Sequence, residues 1–328
     1  MDRIRSIKRT IIKWLKTVAM VVAVVLLILA IVAIVRNRII SNRQSDFANL
    51  EYDGNIAVEI NNNEPTFTKD ELKKATDSYE SYSKLDSIGR CGVAEASVSS
   101  DTMPEPGEKR TSLGSVNPSG WQNISFWVRC HLIGWQLTAE NANEKNLIAG
   151  TNRMNMSGML PYENMIAKYI EENPTNHVLY RVDPIFEGSN LIASGVNMQA
   201  ESVEDKGKGV SFNVYVFNLQ PGSIIDYKTG MAEDDPNHQT TITIADKTQK
   251  YTGNPVEIDE AIVVGSTGTI KYIYYTDVNA KVKTTEATGA ESSGGPPTYR
   301  GEYYVRAVVS GDEWYSNGAS NVAKLTIY

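Results

Sequence analysis

The hydrophobic pattern divides the chain into an N-terminal apolar run and a long mixed region. Residues 18–35 contain no charge and no proline, and this length is sufficient for a helix to cross the hydrocarbon core of a bilayer. Residues 1–17 are basic, so the positive-inside rule predicts a cytoplasmic N-terminus and a body outside the cell. A cleaved signal peptide is the alternative, and it predicts a secreted form. Residues 36–57 are polar and are interpreted as a stalk.

Beyond the stalk, short segments of alternating polar and apolar residues predict antiparallel strands. In the first part of the body these segments are residues 89–99, 124–131, 178–183, 191–200, 210–218 and 224–227. Thr68 and Glu71 have the spacing of a capping box and predict a short helix. A second helix is predicted from Leu160, with Pro161 at its start. Its buried stripe is predicted to comprise Met165, Ile166, Tyr169 and Ile170. This mixture indicates an α+β domain with an antiparallel sheet over residues 58–230.

The pattern changes after this domain to short strands separated by turn residues. The predicted strands are residues 241–245, 256–258, 269–275, 302–309 and 323–328, with a Gly/Ser/Pro-rich loop at 286–297. They indicate an all-β sandwich over residues 239–328. Through residues 250–255 and 323–328 this region loosely resembles the immunoglobulin-like modules of bacterial surface proteins. That resemblance implies contact with the cell wall or with a surface protein.

Charge and cysteine content narrow the choice of partners and compartment. The net charge is −7, and residues 1–43 hold nine Lys and Arg against one acid, leaving 23 basic and 38 acidic residues in the rest. A body with a net charge of −15 does not attract nucleic acid over long distances, so any such binding requires a local basic groove. Cys91 and Cys130 follow the apolar run. An exported chain can join them in a disulfide, and two buried free thiols are the alternative.

The candidate chemistry lies in one short stretch of the first domain. His131 follows Arg129 at the end of a predicted strand, and Asn146, Asn155 and Glu163 come after it within about one supersecondary unit. Histidine accepts a proton near neutral pH. Asparagine and glutamate supply the hard oxygens that Mg²⁺ prefers, and Mg²⁺ keeps several waters. These residue types are those required to cut phosphodiester bonds with a metal ion.

Six separated motifs resemble one known family, the DNA/RNA non-specific endonucleases of the ββα-metal (His-Me finger) type. The likeness is to the secreted and membrane-anchored branch from streptococci and clostridia, and it runs from about residue 58 to residue 230. The motifs are Leu-Asp-Ser-Ile-Gly-Arg-Cys-Gly at 85–92, Pro-Ser-Gly-Trp at 118–121, Arg-Cys-His-Leu-Ile-Gly at 129–134, Asn-Glu-Lys-Asn-Leu-Ile at 143–148, Gly-Met-Leu-Pro-Tyr-Glu-Asn at 158–164 and Tyr-Arg-Val at 180–182.

The resemblance implies a role for each candidate residue. His131 is the general base that takes a proton from water. Asn155 is the principal metal ligand and Glu163 acts through a water on the metal, which is Mg²⁺, with Mn²⁺ as the alternative. Asn146 holds the scissile region or the histidine in place, and Arg129 contacts the phosphate. The implied reaction is a one-metal hydrolysis that leaves 5′-phosphate ends.

The chain also departs from the family pattern. The usual Asp-Arg-Gly-His motif, which is Asn-Arg-Cys-His in the most similar branch, is here Val-Arg-Cys-His at residues 128–131. Val128 cannot supply the hydrogen bond of the polar residue, and the segment 121–128 is shorter than in the relatives. Gly158 and Pro161 also predict that Asn155 lies in an element before the helix, not in the helix itself.

The sequence therefore predicts an extracytoplasmic, membrane-anchored, Mg²⁺-dependent endonuclease with little sequence preference. Its expected partners are a nucleic acid substrate, the membrane through residues 18–35, and the cell wall or a surface protein through residues 239–328. Two alternatives remain open. One is a nucleic-acid-binding surface protein whose nuclease site has decayed, because of Val128 and the short strand. The other is an adhesin in which the β-sandwich is the functional part.

Overall fold

The computed structural model describes residues 20, 22, 24–28, 31, 47, 50–284 and 294–328. The chain divides into two units, Met1–Glu51 and Tyr52–Tyr328. The basic segment 1–17 and most of the predicted membrane span lie outside the described residues, so both stay predictions. Among the residues that the structure describes, no helix is long and apolar enough to cross a membrane.

A six-stranded antiparallel sheet forms the centre of the first part of Tyr52–Tyr328. In sheet order its strands are β1 (Ala57–Glu59), β8 (Ser211–Phe217), β7 (Gly195–Ser202), β6 (Val178–Ile185), β3 (Ala94–Val98) and β2 (Tyr79–Tyr82). Four of these strands confirm the predictions at residues 89–99, 178–183, 191–200 and 210–218, with shifted bounds. The two edge strands were not predicted, because both are short and neither buries a residue.

The two faces of this sheet bury different kinds of side chain. Met198 and Val214 lie on an apolar face that belongs to the main core. The opposite face buries Asn197, Gln199 and Asn213. The Nδ2 of Asn197 donates to Asn213 Oδ1 at 2.8 Å, and Gln199 Nε2 donates to Asn197 Oδ1 at 2.9 Å. Burying an amide costs free energy unless the amide is hydrogen-bonded, and here the three side-chain amides bond to one another.

A short helix, α1 (Lys69–Lys74), confirms the predicted capping box. The backbone N–H of Glu71 donates to Thr68 Oγ1 at 3.2 Å, and the backbone N–H of Thr68 donates to Glu71 Oε2 at 2.8 Å. The other oxygen of Glu71 forms an ion pair with Arg181 on β6. The cap therefore fixes the helix end and also ties it to the sheet.

A hairpin and a helical run complete the core on the apolar side of the sheet. The strands β4 (Trp127–His131) and β5 (Leu147–Thr151) pair antiparallel, with His131 opposite Leu147. A four-residue helix, α2 (Trp135–Thr138), lies between them. After β5 the chain is helical from residue 152 to residue 172. This run comprises a π-helical segment, Met154–Met159, followed by α3 (Leu160–Glu172).

Asn155 lies in the π-helical segment before α3, as predicted, but the chain stays helical between the two elements instead of breaking. The N–H of Leu160 donates to the carbonyl of Asn155, five residues back, so the turn is widened and not broken. Pro161 is the second residue of α3, directly after this widened turn. Gly158 makes the packing possible, since a Cβ there would lie 2.2 Å from Cγ1 of Val216 on β8.

The predicted stripe of α3 is confirmed except at one position. Ile166, Tyr169 and Ile170 are buried, together with Ala167, whereas Met165 is 46% exposed. Met165 lies just outside the face of the helix that these residues form, so its side chain reaches solvent. Glu163 is buried as well, which places a carboxylate inside the core and not at its edge.

The C-terminal region is β-rich. After a hairpin of β9 (Ser223–Ile225) and β10 (Ala232–Asp234), the strands are β11 (Thr241–Thr243), β12 (Lys247–Gln249), β13 (Ile262–Val264), β14 (Ile270–Tyr275), β15 (Gly301–Val309), β16 (Gly318–Ala319) and β17 (Ala323–Ile327). β11 pairs with β13, and the other five form one sheet in which β12 runs parallel to β17. Most of the predicted loop at residues 286–297 lies outside the described residues.

The predicted strand at residues 256–258 is wrong. Val256 and Ile258 are buried, which explains the apolar alternation. Their backbone N–H groups, however, bond to Pro297 O at 2.9 Å and to Tyr274 Oη at 3.0 Å, and not to a neighbouring strand. The segment is therefore a buried connection held by one backbone carbonyl and one tyrosine hydroxyl.

The C-terminal region packs against the first part through the loop before β16. The hydroxyl of Tyr52 donates to the carbonyl of Glu313 at 2.7 Å, and the rings of Tyr52 and Trp314 meet edge-on at 5.0 Å. The carboxylate of Glu313 also lies 3.8 Å from the guanidinium of Arg153. Since Arg153 lies at the start of the helical run that carries Asn155, this loop contacts that end of the run.

Candidate active site

His131 is the last residue of β4 and is buried, with 6% of its surface exposed. Its Nε2 lies 2.8 Å from the carbonyl oxygen of Asn141, and its Nδ1 lies 3.3 Å from the guanidinium of Arg110. A carbonyl only accepts and a guanidinium only donates, which assigns the proton to Nε2 and leaves the lone pair on Nδ1. The basic nitrogen therefore faces Arg110.

The surroundings of His131 favour its neutral form. Burial, together with the nearby charge of Arg110, lowers the pKa of the imidazole to about 4, whereas the hydrogen bond to Asn141 acts in the opposite direction. At neutral pH the ring is therefore unprotonated at Nδ1. This is the form that a general base needs.

Asn146 is fully buried and lies just before β5. Its Oδ1 accepts from the backbone N–H of Ile133 at 2.9 Å, and its Nδ2 donates to the carbonyl of Ile133 at 2.9 Å. Its own carbonyl accepts from the N–H of Leu132 at 2.9 Å. Asn146 thus holds the two residues that follow His131, and its side chain positions the backbone instead of facing a substrate.

Asn155 lies half-buried on the π-helical segment. Thr151 caps the start of this run, because its Oγ1 accepts from the N–H of Met154 at 3.0 Å. The Oδ1 of Asn155 is 3.2 Å from the thiol of Cys130, and its Nδ2 is 3.5 Å from the sulfur of Met156. The wide turn therefore brings the amide of Asn155 against the strand that carries His131.

Glu163 lies in the first turn of α3 and points back to the loop after β4. Its Oε1 accepts from the backbone N–H of Gly134 at 2.8 Å. Burial raises the pKa of this carboxyl group to about 7, against the lowering effects of the Gly134 N–H and of the charge of Arg110. A buried carboxylate with so little cationic compensation is one that a bound cation would stabilise.

Arg129 shares a face of β4 with His131, two residues away. Its guanidinium donates to the carbonyl of Gly114 at 3.3 Å and to Asn117 Oδ1 at 3.0 Å, and it lies 5.2 Å from the ring centre of Trp121. Its Nε is buried without a partner. The loop at residues 114–121 therefore holds Arg129 beside the site.

Arg110 is the site residue that the sequence did not identify. It contacts His131, lies 5.9 Å from the ring centre of Trp135, and acts through its charge on both Cys130 and Glu163. The sequence around Arg110 has no periodicity and a mixture of charges, so no local pattern separates this arginine from neighbouring surface residues. Only the folded chain brings this loop over the end of β4.

Of the two alternatives left open by the sequence, the structure has two buried free thiols, and no disulfide joins Cys91 and Cys130. The Sγ of Cys91 donates to the carbonyls of Glu144 and Leu147 at 3.2 and 3.0 Å. Cys130 Sγ instead faces the helical run at Asn155. The two thiols therefore have different hydrogen-bond partners. Burial raises the pKa of both thiols, so neither is present as a reactive thiolate at neutral pH.

The donor set fits a hard divalent cation that keeps most of its waters. Among residues 50–284 and 294–328 and the few described before them, no group of three or more His, Cys, Asp and Glu could hold a metal ion. The side-chain oxygens predicted as ligands are the amide oxygen of Asn155 and the carboxylate of Glu163. One or two protein oxygens suit Mg²⁺, and they do not suit the closed four-ligand sites of structural zinc.

Comparison with known proteins identifies the segment that carries this site. Residues 69–204 match the model of the DNA/RNA non-specific endonuclease family. A deoxyribonuclease from Streptococcus dysgalactiae subsp. equisimilis is 30% identical over 152 residues, which are 45% of this chain and 45% of that relative. The chain therefore spans less than half the length of that relative.

Two solved structures are similar at lower identity. NucA from Streptococcus agalactiae with a bound magnesium ion is 23% identical, with a TM-score of 0.48, over 58% of this chain and 92% of that chain. Sda1 nuclease with a bound zinc ion is 23% identical, with a TM-score of 0.46, over 56% and 98% of the two chains. The segment that matches the model of the DNA/RNA non-specific endonuclease family, residues 69–204, holds His131, Asn146, Asn155 and Glu163.

Proposed function

We propose that this protein is a divalent-cation-dependent endonuclease that hydrolyses phosphodiester bonds of DNA, RNA or both. The observation that carries the proposal is the state of His131. Its Nε2 is anchored on the carbonyl of Asn141 and its Nδ1 faces Arg110, in surroundings that keep the ring neutral. A neutral imidazole fixed through Nε2 can take a proton from water with Nδ1 once Arg110 donates to a phosphate oxygen instead.

The other site residues have two kinds of proposed role: some would bind the cation or the phosphate, and Asn146 positions the backbone. Asn155 and Glu163 would hold Mg²⁺, with Mn²⁺ as the alternative. A divalent cation at this place supplies charge stabilisation at the phosphate and at the leaving oxygen. Asn146 keeps the backbone after His131 in place through Ile133. Arg110 and Arg129 lie beside His131 and would bind phosphate oxygens.

Weak sequence preference follows from the kind of contact available. Arginine contacts to phosphate fix the position of a nucleic acid without reading its bases. The acidic body provides no long-range attraction, so binding depends on these two cations and on the metal, and it should weaken as salt rises. The product is expected to carry a 5′-phosphate.

The first test is digestion of supercoiled plasmid and of single-stranded RNA by the full-length chain. The proposal predicts nicking and linearisation with Mg²⁺ and none with EDTA. Folded protein that binds the plasmid without cutting it in Mg²⁺ or Mn²⁺ would instead support the decayed, nucleic-acid-binding alternative.

The proposed location is the outer side of a bacterial cell membrane, with residues 18–35 as an uncleaved anchor. The basic residues 1–17 and the uncharged run that follows support this orientation. Protease treatment of intact cells should remove the body, Tyr52–Tyr328, and leave a membrane-bound fragment. A chain recovered entirely in the medium and lacking residues 1–35 would instead indicate a cleaved, secreted form.

The β-rich C-terminal region is proposed to be an immunoglobulin-like module that contacts the cell wall or a surface protein. Its short strands and its position after the nuclease segment support this role. Sedimentation of the full-length chain with purified cell walls should exceed that of a chain ending at residue 238. Equal sedimentation would contradict the proposed contact.

A further inference from the structure

The thiol of Cys130 lies in the seam between β4 and the helical run. Only 1% of this residue is exposed. Its Sγ is 3.2 Å from Asn155 Oδ1, 3.5 Å from the carbonyl of His131 and 3.6 Å from Met159 Sδ. Gly150 makes room for it, because a Cβ at that glycine would lie 2.6 Å from Cβ of Cys130.

A thiol in this seam acts as a hydrogen-bond donor. The carbonyl of His131 and the amide oxygen of Asn155 can only accept, so the sulfur is the donor in both contacts. Of the three neighbouring acceptors, the amide oxygen of Asn155 is the nearest, and a thioether sulfur accepts only weakly. The S–H of Cys130 therefore donates to Asn155 Oδ1.

This hydrogen bond decides which way the amide of Asn155 faces. An amide has one accepting end and one donating end, and the S–H group can pair only with the oxygen. The other contact of the amide, from Nδ2 to Met156 Sδ at 3.5 Å, is too weak to fix its orientation. An amide oxygen has two lone pairs, so one pair remains available after the thiol bond is made.

We infer that Cys130 is a positioning residue that orients the Asn155 amide for binding a divalent cation. This inference rests on the proposed function, in which Asn155 Oδ1 is a metal ligand. Groups that hydrogen-bond to a ligand commonly change metal affinity about 10-fold or more when removed. Because sulfur is a weak donor, the effect should lie at the lower end of that range.

The test measures Mn²⁺ binding to the full-length chain without nucleic acid, by the electron paramagnetic resonance signal of the free ion. Cys130→Ala removes the donor and should weaken Mn²⁺ binding about 10-fold. Cys130→Ser keeps a donor of similar size and should bind within about twofold of the original chain, since the hydroxyl replaces the same hydrogen bond. Should Cys130→Ala fail to fold, Cys130→Val can replace it, because valine also lacks the donor but fills the seam better. The same weakening of Mn²⁺ binding is expected of it.

Cys91 offers a matched control. It is also a buried thiol, but it donates to the backbone carbonyls of Glu144 and Leu147 and makes no contact with Asn155. Cys91→Ala should lower the thermal midpoint and leave Mn²⁺ affinity unchanged. Equal losses of Mn²⁺ affinity in Cys91→Ala and Cys130→Ala would overturn the inference, because they would indicate general loosening of the core.

A double-mutant cycle separates this inference from the proposed function. Asn155→Ala should itself weaken Mn²⁺ binding, and Cys130→Ala should then add no further loss. A further loss would show that Cys130 acts by another route, leaving the endonuclease proposal intact. Unchanged Mn²⁺ binding in Asn155→Ala would instead reject Asn155 as a ligand, and the inference with it.

Activity provides a second readout. If Cys130 acts through cation binding, Cys130→Ala should raise the Mg²⁺ concentration at half-maximal plasmid cleavage, while saturating Mg²⁺ restores the rate. A lowered rate that Mg²⁺ does not restore, with unchanged Mn²⁺ affinity, would contradict the inference.

Discussion

Glu163 Oε1 accepts a 2.8 Å hydrogen bond from the backbone N–H of Gly134, three residues after His131. This bond joins the helical run that carries Asn155 to the loop that follows the proposed base. It therefore helps to fix the position of the proposed base relative to the proposed metal ligand, Asn155. It also explains why Glu163 is buried instead of lining an open cleft.

Gly134→Ala should disrupt this contact. The backbone of Gly134 has φ −61° and ψ 143°, which any residue can adopt, so the substitution creates no backbone strain. The added Cβ would lie 2.5 Å from Glu163 Oε2, however, and must displace the carboxylate. We expect a loss of about 1–3 kcal/mol in the free energy of unfolding, measured by urea denaturation, and a large loss of cleavage.

The control for this prediction is the same substitution in a Glu163→Ala background. All three atoms that the new Cβ would meet belong to Glu163, so Gly134→Ala should then have almost no effect on stability. An equal loss in both backgrounds would mean that the cost arises from the backbone and not from the carboxylate.

Asn146→Ala should destabilise the fold more than most asparagine substitutions do. It leaves the N–H and the carbonyl of Ile133 without partners inside the core. Two unsatisfied buried groups cost about 2–4 kcal/mol in the free energy of unfolding. Asn143→Ala is the matched control, because Asn143 is more exposed and only caps a short turn through Lys145, a contact worth about 1 kcal/mol. Similar losses for the two variants in urea denaturation would show that Asn146 does not hold the loop.

The pH dependence of kcat/KM should reflect both perturbed groups. At low Mg²⁺, activity should fall on acidification through about pH 7, the pKa of Glu163, because the protonated carboxyl binds a cation poorly. Saturating Mg²⁺ stabilises the carboxylate, so the acidic limb of the pH profile should move to lower pH. It should then approach the pKa of His131, which is about 4. A limb near pH 6.5 that does not respond to Mg²⁺ would indicate an unperturbed histidine and contradict the described surroundings.

Glu163→Gln should stabilise the protein at high pH. The pKa of Glu163 is raised from 4.5 to about 7, so the folded chain binds more protons between these values. The stabilisation that Glu163 gives through its raised pKa is therefore complete below pH 4.5 and is lost as pH rises through 7. A glutamine stays neutral, so the advantage of the variant over the original chain should grow from pH 5 to pH 8, by at most about 3 kcal/mol.

This comparison is made by urea denaturation in EDTA, so that no cation compensates the carboxylate. His131 has the opposite dependence, because its lowered pKa makes the fold lose stability on acidification below pH 6.5. That contribution is common to both proteins and cancels in their difference. An advantage that stays constant with pH would show that Glu163 is charged in the fold at every pH tested.

The sequence predicted the strand that ends at His131 because the alternation before it has the period of a strand. It also predicted the capping box of Thr68 and Glu71, which depends only on local spacing. The π-helical segment could not be predicted, since Gly158 and Pro161 are ordinary signs of a helix break. Only the close approach of Val216, distant in sequence, explains why the glycine lies inside the run.

Long-range contacts also account for what the sequence missed at the site. Arg110 and Gly134 acquire their roles from His131 and Glu163, which lie 21 and 29 residues away along the chain. The thiols of Cys91 and Cys130 are equally consistent with a disulfide until their partners are known. Hydrophobic periodicity describes neighbours three or four residues apart, so it carries no information on such pairs.

The most direct test of the central claim is plasmid nicking by the full-length His131→Ala variant in saturating Mg²⁺. His177→Ala is the control, because His177 pairs with Glu204 at the start of β6, outside the site. The proposed role of His131 predicts a loss of cleavage of at least about 100-fold in His131→Ala, with His177→Ala retaining the original rate. Folded His131→Ala protein that nicks DNA at the original rate would contradict the assignment of His131 as the base.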